Sequence, residues 1–132
     1  MKLVLCTLCM LASALSTPSA PEARAHCNLA ALTAADRGRD QQLIPLLAGA
    51  LRERKELQDG YAYRFDRGVL KELGEWLDIE AKCCQPLSYA LVLEPQPGGA
   101  LWVHITGHDA KEFIDEEFAP LGKKLAAAGP RR

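Results

Sequence analysis

Cys83 and Cys84 are adjacent, Glu80 stands three residues before Cys83, and Cys27 is a third cysteine far away in the chain. Thiolates are soft ligands, suited to copper(I), zinc, mercury or arsenite, and two adjacent ones joined by a third offer trigonal coordination of a soft metal or metalloid ion. Neighbouring side chains on a helix point about 100° apart, so both members of the pair can reach one ion only where a helix ends between them and the next segment. Pro86 provides that ending, because the residue before a proline is driven out of the helical region. The candidate metal ligands are therefore Cys83, Cys84 and Cys27, with Glu80 one helical turn away as an oxygen ligand, a proton acceptor for the Cys83 thiol, or a solvated helix charge.

Other readings compete for the same residues. Cysteine is among the most buried residue types, and Cys84 falls on an apolar stripe, so it also reads as core packing. A disulfide from Cys27 to either member of the pair would leave one thiol and a non-catalytic structural or interaction domain. A thiol enzyme, the weaker alternative, would use Cys83 as nucleophile with Glu80 or His104 as base. His26, beside Cys27, would join a copper site if it became the first residue after processing, while His108 reads as part of a turn. Trp76 and the aromatic run Tyr61, Tyr63 and Phe65 read as core. There is no phosphate-binding glycine loop, no Cys-x-x-Cys pair after residue 25, no His-Glu-x-x-His helix and no nucleophile-elbow serine. No basic stripe interleaved with aromatics points to nucleic acid.

The chain has 132 residues, 48% of them apolar and 25% charged, the size and balance of one globular domain. It opens like an export signal: Lys2 supplies a basic start, and residues 3–15 form an apolar run broken by Thr7 and Ser13, too short for the roughly twenty residues of a membrane span. Ala23-Arg24-Ala25 is the best small-x-small cleavage pattern and Thr17-Pro18-Ser19, nearer the apolar run, also fits; residues 1–25 are expected to be a signal and processing region and residues 26–132 the mature α+β domain, with no membrane span after processing. The expected location is periplasmic or secreted, or cytoplasmic if translation starts downstream. Cys6 and Cys9 leave with such a leader, and Cys27, Cys83 and Cys84 remain. The mature part carries 14 basic and 16 acidic residues.

The elements that must position these groups follow from spacing. Thr33 caps a first helix expected over residues 34–57, with Leu43, Leu47, Ala50 and Leu51 at helical intervals and Pro45 marking either a kink or the start of a second helix. Asp59-Gly60 ends it. Tyr61, Tyr63 and Phe65 alternate as a strand, and Asp66 is expected to cap a second helix whose stripe of Leu70, Leu73, Leu77, Ala81 and Cys84 faces the core, with Val69, Trp76, Glu80 and Cys83 on the adjoining stripe. Residues 87–93 and 101–106 alternate around a proline- and glycine-rich turn as an antiparallel hairpin. Asp109 is expected to cap a last helix carrying Phe113, Ile114, Phe118 and Leu121, and a short strand is possible near Cys27. The fold class is α+β, a small antiparallel sheet of three to four strands with helices packed on one face.

The stretch Glu80-Ala81-Lys82-Cys83-Cys84, leading into Leu87-Ser88-Tyr89, resembles a family of small bacterial proteins, most of unknown activity, with a Glu-x-x-Cys-Cys-Pro-Phe-Leu segment before an aromatic-containing strand. The resemblance extends to Cys27-Asn28-Leu29, to residues 57–64 and to Val103-His104-Ile105-Thr106-Gly107, and it departs at Gln85-Pro86, which stand where that family has Pro-Phe. Related segments extend some MerR-type heavy-metal regulators. The resemblance thus implies a connection to soft metals or metalloids.

Overall fold

The computed structural model describes residues 24–122; most of the expected leader lies outside them. Three helices, α1 (Ala34–Ala50), α2 (Leu70–Cys83) and α3 (Lys111–Glu117), accompany six strands: β1 (His26–Cys27), β2 (Leu51–Leu57), β3 (Gly60–Phe65), β4 (Cys84–Gln85), β5 (Ser88–Leu93) and β6 (Leu101–Thr106). Four of the strands form an antiparallel sheet in the order β2-β3-β6-β5, and β1 pairs with β4 in a separate two-stranded ribbon. The helices pack against the sheet, as the expected α+β class requires. Tyr63, Phe65, Leu101, Val103 and Ile105 on the sheet share one core with Leu43, Leu47, Leu73, Trp76 and Ile114 on the helices.

Local chemistry explains most boundaries. At the start of α1 the Thr33 hydroxyl accepts the Asp36 backbone N–H at 3.0 Å while the Asp36 carboxylate accepts the Thr33 N–H at 3.0 Å, a reciprocal capping box. The helix continues through Pro45 and buries Leu43, Leu47 and Ala50. It stops at Ala50, however, and the expectation of helix up to residue 57 is corrected: Leu51–Leu57 is strand β2, an edge of the main sheet. The run Arg52-Glu53-Arg54-Lys55-Glu56 is made of good helix formers, but each finds a partner only in the extended form. Arg52 pairs with Asp66, Glu53 with Arg64 at 2.9 Å, Arg54 with Asp115 and Glu56 with Lys111 at 2.6 Å, and the Lys55 ammonium lies 4.8 Å from the centre of the Trp102 ring. Asp59-Gly60 therefore closes a hairpin rather than ending a helix, with Leu57 opposite Gly60.

Two expected caps are also corrected. Asp66 makes no side-chain cap bond, because its carboxylate takes the Arg52 guanidinium, with Arg52 Nε at 2.9 Å. Asp109 precedes α3 at φ 48° and contacts His108 at 3.2 Å, so Ala110 holds the cap position without a side-chain bond. On α2 the buried face is Leu73, Trp76, Ile79, Glu80 and Cys83, while Leu77 is half-buried and Ala81 exposed. The stripe expected to adjoin the core is thus at its centre, which turns Glu80 and Cys83 inward.

Gly60 tests the hairpin reading. A Cβ there would lie 2.0 Å from the Ile105 carbonyl oxygen on β6, closer than any side chain tolerates. Gly60→Ala is expected to lower the unfolding free energy by about 1 to 3 kcal/mol, as overpacking does, measured by denaturant unfolding; an unchanged midpoint would contradict this strand register.

Candidate functional site: a buried thiol and carboxyl cluster

Helix α2 ends at Cys83, and Cys84 takes an extended conformation, φ −97° and ψ 102°, as its cap. The pair therefore straddles the junction of a helix and a strand, which frees the two side chains from consecutive helical directions. From Cys84 the chain enters β4, where Cys84 lies directly across from Cys27 on β1, and the two are joined in a disulfide. The Asn28 N–H donates to the Cys83 carbonyl at 2.8 Å, tying the chain after Cys27 to the end of α2. Tyr89 on β5 closes the other side, its hydroxyl donating to the Cys84 carbonyl at 3.3 Å.

These ties bring together the residues singled out from the sequence. The sulfurs of Cys27, Cys83 and Cys84 all lie within 4.8 Å of one another, Cys27 half-buried and the other two buried. Cys83 is the free thiol, 3.9 Å from the Cys84 sulfur. Glu80 Oε2 is 3.3 Å from that same sulfur. A disulfide sulfur carries no hydrogen, so both contacts run toward Cys84: the Cys83 S–H and a protonated Glu80 carboxyl are the donors.

Protonated is the state that the surroundings favour. Burial, reinforced by the negative charges of Asp40 and Glu117, pushes the Glu80 carboxyl up to about 8. Burial first, then Glu80 and Glu117, likewise raises the Cys83 thiol above its ordinary range. Asp40 on α1 is raised by burial. The Trp76 indole N–H, wholly buried, lies close enough to Asp40 and Glu80 to favour their charged forms, yet neither it nor Asp40 Oδ1 makes a hydrogen bond of ordinary geometry. The cluster gathers sulfur and carboxyl groups with few donors among them, which favours the protonated forms of Glu80 and Cys83.

Comparison with known protein families, with characterised proteins and with solved structures finds no match to this chain.

Two of the histidines weighed as participants, His104 and His26, lie elsewhere, while His108 and Trp76 stand where the sequence reading had them, in a turn and in the core. His104 sits between Ala62 and Ala90 on the sheet face shared with Trp102, opposite the face that carries Tyr63, Val103 and Leu91. It cannot serve Cys83 as a base. His26 is exposed on β1, its Nδ1 3.0 Å from the Arg24 carbonyl. His108 pairs with Asp109, and Trp76 is a core residue packed edge-on against Phe118 at 5.6 Å. Conversely, Asp40, Glu117, Asn28 and Tyr89 were not singled out from the sequence. Asp40 carried a signal, since it precedes Leu43 and Leu47 at helical intervals and so occupies an apolar-stripe position with a charge.

The raised Glu80 pKa has a definite sign for stability. In the unfolded chain this carboxyl ionises near 4.5, whereas in the folded protein it stays protonated to about 8, so between these values the folded state binds more protons and stability falls as pH rises. Asp40 acts in the same direction. Glu80→Gln, which keeps the shape and removes the titration, is expected to flatten this decline and to be the more stable protein at about pH 8 by a few kcal/mol. Denaturant unfolding of wild type and variant across that range checks it; because Asp36, Glu53 and Glu56 are lowered and stabilise as pH rises from acid, the difference between the two proteins is the readout, and a difference that does not grow between about pH 5 and 8 would contradict a neutral Glu80.

Proposed function

We propose that this is an exported protein that, in its reduced form, binds one soft metal or metalloid ion through Cys27, Cys83 and Cys84, with Glu80 alongside. The observation that carries the reading is the approach of three sulfurs to within 4.8 Å of one another. Metal–sulfur bonds of about 2.3 Å in a trigonal site separate the ligand sulfurs by about 4 Å, a spacing that the reduced cluster can meet with small side-chain rotations. Three soft thiolates select soft ions over magnesium or calcium. The likeness of residues 80–89 to segments associated with heavy-metal regulators supports the same chemistry. Export is supported by the leader-like start and by the disulfide, which belongs to oxidising compartments; among the described residues no helix is long and apolar enough to cross a membrane.

Arsenite is a suitable probe because it takes three thiolates. Reduced protein is expected to bind one equivalent, disulfide-intact protein none, and Cys83→Ser or Cys84→Ser to weaken binding more than about tenfold, since each removes a soft ligand. Equal binding by the reduced wild type and both variants would overturn the reading.

The Cys27–Cys84 bond favours a second reading, a structural or interaction domain in which the disulfide is a staple. It closes a loop of 57 residues between the first strand and the end of α2. Reduction, or Cys27→Ser, is expected to lower stability by about 2 to 4 kcal/mol. If it does so while soft ions neither bind nor restore stability, the staple is the better account. A thiol enzyme draws less support, because Cys83 is buried and its pKa is raised, the reverse of an activated nucleophile.

A further inference from the structure

A free thiol in contact with a disulfide is a reactive arrangement whether or not a metal ever binds. Cys83 lies 3.9 Å from the Cys84 sulfur, and the bond it faces joins Cys84 to Cys27. Thiol–disulfide exchange needs a thiol that can lose its proton, a sulfur to attack and a leaving sulfur, and Cys83, Cys84 and Cys27 stand in these places.

We propose that the oxidised protein exchanges its disulfide internally, so that Cys27 rather than Cys83 is the thiol it offers to outside electrophiles. The Cys83 S–H gives its proton to solvent, and the sulfur's electron pair forms a bond to the Cys84 sulfur. The Cys27–Cys84 bond breaks, its electron pair departs on the Cys27 sulfur, and that thiolate takes a proton from solvent. One disulfide and one thiol are present before and after, so no oxidant or reductant is consumed.

Three observations set the direction. The short sulfur contact is to Cys84, so Cys84 is the sulfur attacked. Cys27 is half-buried while Cys84 is 1% exposed, so water can solvate a thiolate released at Cys27 but not one released at Cys84. The bend of the chain out of α2 at Cys84 lets adjacent cysteines approach without unwinding the helix. Contact distance offsets the small thiolate fraction of a buried thiol, since an intramolecular partner acts at a very high effective concentration. The exchanged form presents Cys27, on the β1 ribbon, as a modification site that the resting pairing conceals.

The test is to purify the chain without reductant and treat it with N-ethylmaleimide in two ways. Labelled in acid guanidinium, where exchange is stopped, the resting thiol Cys83 should carry the label. Labelled while folded in neutral buffer, Cys27 should carry it instead, with Cys83 and Cys84 joined to each other; fragment mass spectra assign both, because Cys27 falls in a different tryptic peptide from the pair. Cys83→Ser, with Cys83→Ala as a second variant, should abolish the Cys27 label, which simple opening of the disulfide would not. Folded-state label on Cys83 with Cys27–Cys84 intact, no label in the folded state, or persistent Cys27 label in both variants would each overturn the proposal.

Discussion

The seating of α2 on the sheet governs both the fold and the site. Burial of its Leu73, Trp76, Ile79, Glu80 and Cys83 face joins the helix layer to β3, β5 and β6, and the same burial carries an acid and a thiol out of water. Apolar burial at roughly 25 cal/mol per Å² makes Leu73 and Trp76 strong contributors, and they hold Glu80 inside despite the cost of a buried carboxyl. Because its neighbours Asp40 and Glu117 are also acidic, that cost is met by keeping the proton rather than by pairing with a cation. Lys82, the nearest lysine on the helix, points to Asp36 and Asp78 at the surface instead.

The end of α2 is where this interior meets the first of the described residues. Cys27–Cys84, Asn28 to Cys83 and the β1–β4 pairing all converge within one turn, so the segment from His26 to Ala31 is anchored through the thiol cluster. Redox state, protonation of Glu80 and attachment of that segment are therefore coupled by contact. The sulfurs are divided into a bonded pair, Cys27 with Cys84, and one thiol, Cys83, all within 4.8 Å of one another.

Much of the fold was legible in the sequence. The β5–β6 hairpin followed from strict alternation on either side of a proline- and glycine-rich turn, β3 from its alternating aromatics, and the start of α1 from Thr33 and Asp36. Strand β2 was not legible, since Arg52, Glu53, Lys55 and Glu56 have helical propensity and the side chains they meet, those of Arg64, Trp102 and Lys111 among them, lie on other elements of the chain. The caps expected at Asp66 and Asp109 failed for a related reason: a nearby cap bond competes with other partners and geometries, and the Arg52 guanidinium takes Asp66.

The sequence alone pointed to Cys27, Cys83, Cys84 and Glu80 as one group, because cysteines are few and only a helix end lets Cys83 and Cys84 act together. The tertiary structure decided what state they are in. It rotated α2 so that Glu80 and Cys83 face inward, chose Cys84 over Cys83 as the partner of Cys27, and placed Asp40 and Glu117 where they keep Glu80 protonated. Spacing along a helix specifies directions to within a stripe, but pairing and protonation depend on ångström-scale distances and on exclusion of water, and those arise only when separate segments are packed together.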